Sequence, residues 1–153
     1  MKVFISGSRG IINLPEWLTK RIDFLMRNNY TFLIGDCIGV DTIVQRYLQN
    51  KGCVNVEIYA SGNRPRNYYG DNLGWKLNLI KPNGVSGRAF YTAKDMTMIE
   101  DCDIALALWN GYSKGTHKNI NEIVKLKKII YVYDACNGKV MTNKINKING
   151  GEK

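Results

Sequence analysis

Apolar and polar positions follow two different periods along this chain of 153 residues. Val3-Phe4-Ile5, Phe32-Leu33-Ile34 and Ile104-Ala105-Leu106-Ala107-Leu108-Trp109 are short apolar runs, the signature of strands buried on both faces of a parallel sheet. Between them, Trp17, Leu18, Ile22, Leu25 and Met26 recur at helical spacing, as do Ile43, Val44, Tyr47 and Leu48. Pro15 and Glu16 suit a first helical turn, and Asn50-Lys51-Gly52 reads as a stop. The pattern predicts strand 2–6, helix 15–28, strand 31–35, helix 40–51 and strand 54–59. After a break it predicts helix 93–101, with Met96, Met98 and Ile99 inward, strand 103–109, helix 115–127 and strand 129–133.

Strands alternating with helices of this length mean parallel β-α-β units with right-handed crossovers. The expected fold is α/β: a single Rossmann-like, doubly wound domain with a mostly parallel five-stranded sheet in the order 3-2-1-4-5. That domain spans 1–135. Residues 136–153, with Lys139, Lys144, Lys147, Lys153 and Gly150-Gly151, read as a basic, flexible C-terminal tail. Residues 60–91 break the rhythm with several glycines and prolines, Arg64, Arg66 and aromatics, and are read as a functional lid.

Three strand-like runs end in glycine-bearing loops that open helices: Gly7-Ser8-Arg9-Gly10, Gly35-Asp36-Cys37-Ile38-Gly39-Val40-Asp41 and Asn110-Gly111-Tyr112-Ser113-Lys114-Gly115-Thr116. Glycine lets backbone approach a ligand, and a helix N-terminus leaves N–H groups free for an anion. In the doubly wound order the first and third loops face each other across the switch point, flanked by the second. The nucleotide-binding set expected is Gly7, Ser8, Arg9, Gly35, Asp36, Gly39, Asp41, Arg66, Asn110, Gly111, Ser113, Gly115 and Thr116. Ser113 and Thr116 are also ordinary helix caps, and Asp36 could hold its own loop together instead of a ribose. The third loop is not a Walker P-loop, because its order is Lys-Gly-Thr.

Composition narrows the picture. The 44% hydrophobic and 23% charged shares are those of an ordinary globule, and no apolar run reaches the length of a membrane span. A cytoplasmic protein is expected. Cys37, Cys53, Cys102 and Cys136 are scattered and do not cluster with His117, so no metal site is expected. Cys37, at a strand end beside a helix start, is the thiol to watch. The formal charge of +9 is concentrated in Lys125-Leu126-Lys127-Lys128 and in the tail, which favours solvation and anionic-ligand attraction over a dedicated nucleic-acid surface. His117 reads as an exposed helix residue, and Lys94, Asp95, Glu100 and Asp101 as mostly solvated charges.

Taken together, Gly7-Ser8-Arg9, Gly35-Asp36-x-x-Gly39-Val40-Asp41, Lys94-Asp95-x-x-Met98, Cys102-Asp103 and Trp109-Asn110-Gly111-x-Ser113-x-Gly115-Thr116 resemble the YspA/YpsA-like branch of the SLOG superfamily. The resemblance covers residues 2–133. It implies a Rossmann-like sheet that binds a nucleotide or nucleotide-derived ligand through its glycine-rich loops. In the related LOG enzymes a glutamate serves N-glycosidic hydrolysis, and Asn119 stands at that position here, with Lys94 and Asp95 at the preceding Arg-Lys pair. An asparagine cannot act as a carboxylate acid or base. The first expectation is therefore a nucleotide sensor or sequestering protein. The alternative is an enzyme that cleaves or exchanges an N-glycosidic bond, with Asp95, Lys94 and Asp36 as catalytic candidates. A weaker alternative is a DNA-associated module. The expected partner is a nucleotide-derived small molecule, with nucleic acid unlikely, no membrane, and a homo-oligomer of this chain. No cofactor is called for, although Mg²⁺ could accompany a nucleotide phosphate.

Overall fold

The computed structural model describes residues 1–144, 147–148 and 151–152. In chain order it contains β1 (Lys2–Gly7), α1 (Glu16–Arg27), β2 (Thr31–Ile34), α2 (Val40–Asn50), β3 (Val56–Ser61), β4 (Lys76–Ile80) and α3 (Gly87–Asp101). There follow β5 (Ile104–Trp109), α4 (Lys114–Lys125), β6 (Ile129–Asp134), β7 (Lys139–Thr142), β8 (Lys147–Ile148) and β9 (Gly151–Glu152). The last two form a separate antiparallel pair.

The main sheet has seven strands in the order β4-β3-β2-β1-β5-β6-β7. The predicted count of five and the order 3-2-1-4-5 are thereby corrected. The middle of the sheet runs β3-β2-β1-β5-β6, and one strand is added at each edge. β4 adds in parallel to β3, whereas β7 turns back antiparallel onto β6.

Both additions have local causes. Lys76-Leu77-Asn78-Leu79-Ile80 alternates with the strand period, but it is short and embedded in glycine- and proline-rich chain, so it was hidden within the segment 60–91. β7 forms because a tight turn follows β6. The Asp134 carboxylate accepts the Cys136 N–H at 2.8 Å, and Gly138 takes a positive φ of 71°. β7 lies within the segment read as a flexible tail, and part of that expectation falls on residues outside those described.

The alternation of β1 divides the core. Val3 and Ile5 join Leu18, Ile22, Val40 and Val44 on the face covered by α1 and α2. Phe4 joins Met98, Ile99, Ala105 and Ile123 on the face covered by α3 and α4. Cys102 lies buried in that second layer, and burial pushes its thiol up to about 11. Among the described residues, no helix is long and apolar enough to cross a membrane.

α3 starts at Gly87, six residues before the predicted onset at 93. Its early start matters, because it brings Arg88 and Tyr91 onto a helix that faces the C-terminal edge of the sheet.

Candidate functional site

The C-terminal ends of β1, β2 and β5 open into one cleft of about 780 Å³, closed on its far side by α3. Of the residues singled out in the sequence, Gly7, Arg9, Asp41, Arg66, Lys94, Asp95, Ser113, Gly115 and Thr116 line it, as does Asn119. Ser8, Gly35, Asp36, Gly39, Asn110 and Gly111 do not line it; of these Ser8, Gly35 and Asp36 are buried and Gly111 is exposed. The three loops converge, but they divide into lining and support.

The glycines account for that division. A Cβ on Gly7 would run into the Val40 side chain, and one on Gly35 would come 2.5 Å from the Asp41 carboxylate and 3.2 Å from Lys94. At Gly39 a Cβ would meet the Arg9 backbone at 2.5 Å, and φ is 91°. These residues must be small so that the loops can pack on one another. Of the glycines in the expected binding set, Gly115 alone has open space where a Cβ would be. Glycine recurrence therefore reports loop-on-loop packing at least as much as approach to a ligand.

The floor is a network of paired charges. Asp36, 1% exposed, accepts the Arg66 backbone N–H at 2.8 Å and two guanidinium bonds at 2.8 and 3.3 Å. Asp36 thus ties the strand end to the 60–70 segment and presents no free carboxylate. Burial disfavours the Arg66 charge, but Asp36 outweighs it and holds the guanidinium above its ordinary value. The same guanidinium lies over the Tyr91 ring at 4.4 Å.

Lys94 corrects the expectation of solvated charges on α3. It is 4% exposed and sits 3.2 Å from Asp95 and 3.9 Å from Asp36, while donating to the Tyr91 carbonyl at 3.0 Å. Asn119 donates to Ser6 Oγ at 3.2 Å and to Asp95 Oδ2 at 3.3 Å. The Asn119 amide is thus locked into the floor. Asp41 accepts the Cys37 N–H at 3.0 Å, and burial pushes its carboxyl up to about 7, with Lys94 opposing the rise and Asp95 and Asp36 adding to it.

The loop before α4 is braced internally. Asn110 Oδ1 accepts the N–H groups of Tyr112 and Ser113, both at 2.9 Å, and Ser113 Oγ caps the helix by accepting the Thr116 N–H. Ser8 Oγ accepts the Asn110 N–H at 3.2 Å, joining the first loop to the third. His117 is exposed and stacks on Trp109.

The rim differs from the floor. Arg9, Arg88 and Lys114 line the cleft, are exposed, and make no ion pair among the described residues. Tyr91 and Tyr112 stand beside them, 43% and 82% exposed. Arg88, Tyr91, Tyr112 and Lys114 were not selected from the sequence. A helix start placed at Ser86-Gly87 would have put Arg88, Tyr91 and Asp95 on one face by their spacing.

No protein-family model matches the chain, and no curated protein matches it. A solved structure of DNA processing protein A from Helicobacter pylori, described for its mode of single-stranded DNA binding, is similar. The TM-score is 0.60 at 15% identity, covering 86% of this chain and 64% of that one. This chain therefore spans just under two thirds of that protein's length. The likeness establishes a shared Rossmann-like fold, and it also corrects the ranking of partners. The small-nucleotide reading, with nucleic acid set aside, is overturned, since the protein that shares this fold binds single-stranded DNA. The physical reason lies in the loops: glycines read as ligand-facing largely make room for neighbouring protein groups, Gly7 for the Val40 side chain, Gly35 for Asp41 and Gly39 for the Arg9 backbone.

Proposed function

We propose that this chain binds single-stranded DNA in the cleft at the C-terminal edge of its sheet. The observation that carries the reading is the rim: three cations without an ion-pair partner among the described residues, Arg9, Arg88 and Lys114, interleaved with the exposed rings of Tyr91 and Tyr112. A basic groove tracks the phosphates, and aromatic faces stack bases regardless of sequence. A concave site of this kind takes an unpaired strand, whereas duplex reading uses a protruding helix or ribbon that enters a groove. At the start of α4 the N–H groups of Lys114 and Gly115 complete an anion site beside the Lys114 side chain. The single-stranded DNA binding described for the similar structure supports the same assignment. The order of the loop motifs along the chain supports placing it near the YspA/YpsA-like branch, with residues 1–135 as the binding unit.

Fluorescence anisotropy with a labelled oligothymidine tests the proposal. Affinity should fall as salt rises from about 50 to about 200 mM, and three phosphate contacts give a log–log slope of roughly −2. Replacing Arg9, Arg88 and Lys114 together by alanine should flatten that slope. Tight binding of duplex in preference to the single strand, or binding indifferent to the three substitutions, would overturn the assignment.

A further inference from the structure

α4 turns one side to the sheet and the other to solvent. Its buried positions are Thr116, Asn119 and Ile123. Its exposed positions, Lys114, His117, Lys118, Asn121, Val124 and Lys125, recur three and four residues apart and so form one continuous stripe on the outer side. That stripe carries three lysines and no carboxylate. Glu122 stands beside it, four residues after Lys118, but pairs with Lys125 at 3.3 Å. Lys118, like Lys114, makes no ion pair among the described residues.

The charges are also placed against the helix that carries them. The free N–H groups at a helix start bear a partial positive charge, which favours acids there and disfavours lysines. α1 and α2 follow that rule, with Glu16 and Asp41 in their first turns. α4 has no acid in its first turn and begins with Lys114. Lys118 follows four residues later, at a spacing where like charges on a helix repel. Phosphate groups along this side would relieve both conflicts.

The stripe is continuous with the cleft through a single rigid element. Lys114 lines the cleft, and Lys118 lies one turn further along the same helix. From Lys114 to Lys125 the helix axis rises about 16 Å. Charge alone would equally suit an acidic protein surface. Continuity with the cleft selects the strand already placed there.

We infer that the outer side of α4 is an exit track, on which the same single strand continues out of the cleft with its phosphates held by Lys118 and then Lys125. The track rests on the cleft reading but is separable from it by strand length. A strand of about 4 nucleotides occupies the cleft alone, and one of about 12 nucleotides follows the track, both within the range of single-strand-binding modules.

Anisotropy with oligothymidines of these two lengths, repeated across a salt series, is the test. It uses the full chain and the variants Lys118→Gln, Lys118→Gln/Lys125→Gln and Arg27→Gln. Two further phosphate contacts should make the log–log salt slope of the longer strand steeper than that of the shorter by roughly 1.4. Lys118→Gln should remove about half of that difference and the double variant most of it, with the short strand unaffected. Arg27 is exposed and belongs to α1, which covers the opposite face of the sheet from α4. Arg27→Gln removes the same charge and should leave the difference intact. All three sites are exposed, so the variants retain the fold.

Equal slopes for the two lengths, or a difference untouched by the double variant, overturn the track while leaving the cleft. A loss in Arg27→Gln as large as that in Lys118→Gln overturns it too, by showing attraction to the net charge alone. Failure of the unaltered chain to bind either strand overturns the cleft reading and the track with it. Polyglutamate bound as tightly as the longer strand, and lost in Lys118→Gln, would assign the stripe to an acidic protein instead.

Discussion

The floor and the rim of the cleft are built from the same residue types and use them oppositely. On the floor, Asp36, Arg66, Lys94 and Asp95 are within 4 Å of opposite charges, and Asp36 and Lys94 are almost wholly buried. On the rim, Arg9, Arg88 and Lys114 are exposed and unpaired among the described residues. A buried charge that loses its partner is costly, so floor residues are committed to one another. A solvated, unpaired cation keeps its field for a ligand. The difference teaches that residue type and location in a cleft do not identify a binding group; the state of its partners does.

The largest effect should come from the floor. Lys94→Ala leaves Asp95 without its lysine and removes a charge from Asp36, so chemical denaturation should show a loss of about 3–5 kcal/mol. A loss below about 1 kcal/mol would mean that the floor charges are solvated after all, and the contrast with the rim would collapse.

A pH titration sharpens the contrast next. Unfolded, Asp41 gives up its proton near its ordinary 3.8, whereas folded it holds the proton to about 7. Its contribution to stability is therefore complete below pH 3.8 and is lost as pH rises to about 7, by at most about 1.4 kcal/mol per pH unit. Asp41→Asn can still accept the Cys37 N–H and should flatten that stretch of the stability profile. An unchanged profile in the variant would place the titration elsewhere.

The smallest effect is expected at the rim. Arg9→Ala, Arg88→Ala and Lys114→Ala should each change stability by less than about 0.5 kcal/mol, read as an almost unshifted melting temperature. A marked destabilisation by any one of them would show it to be part of the scaffold.

Much of this was legible in the sequence, and the misses share a cause. The Val3–Ile5, Phe32–Ile34 and Ile104–Trp109 runs announced central strands because both faces of those strands are covered. β4 and β7 were not announced, because an edge strand is exposed and carries a weak pattern, with Leu77 and Leu79 each 37% exposed and all four residues of β7 exposed. Most lining residues of the first and third loops were found through local motifs. Arg88 and Tyr91 were missed because their helix has a glycine at its start and no side-chain cap bond.

Local patterning thus determined the alternation of elements, the central strands, and the convergence of three loops at one sheet edge. Those follow from periodicity and from the handedness of β-α-β crossovers, which act within short stretches of chain. The tertiary structure alone decided which charges are spent. Asp36 meets Arg66 thirty residues away, and Gly7 and Gly39 are small because of Val40 and the Arg9 backbone. Pairing and desolvation depend on neighbours brought together by folding, so no reading of one residue at a time could separate the loops' packing role from their binding role.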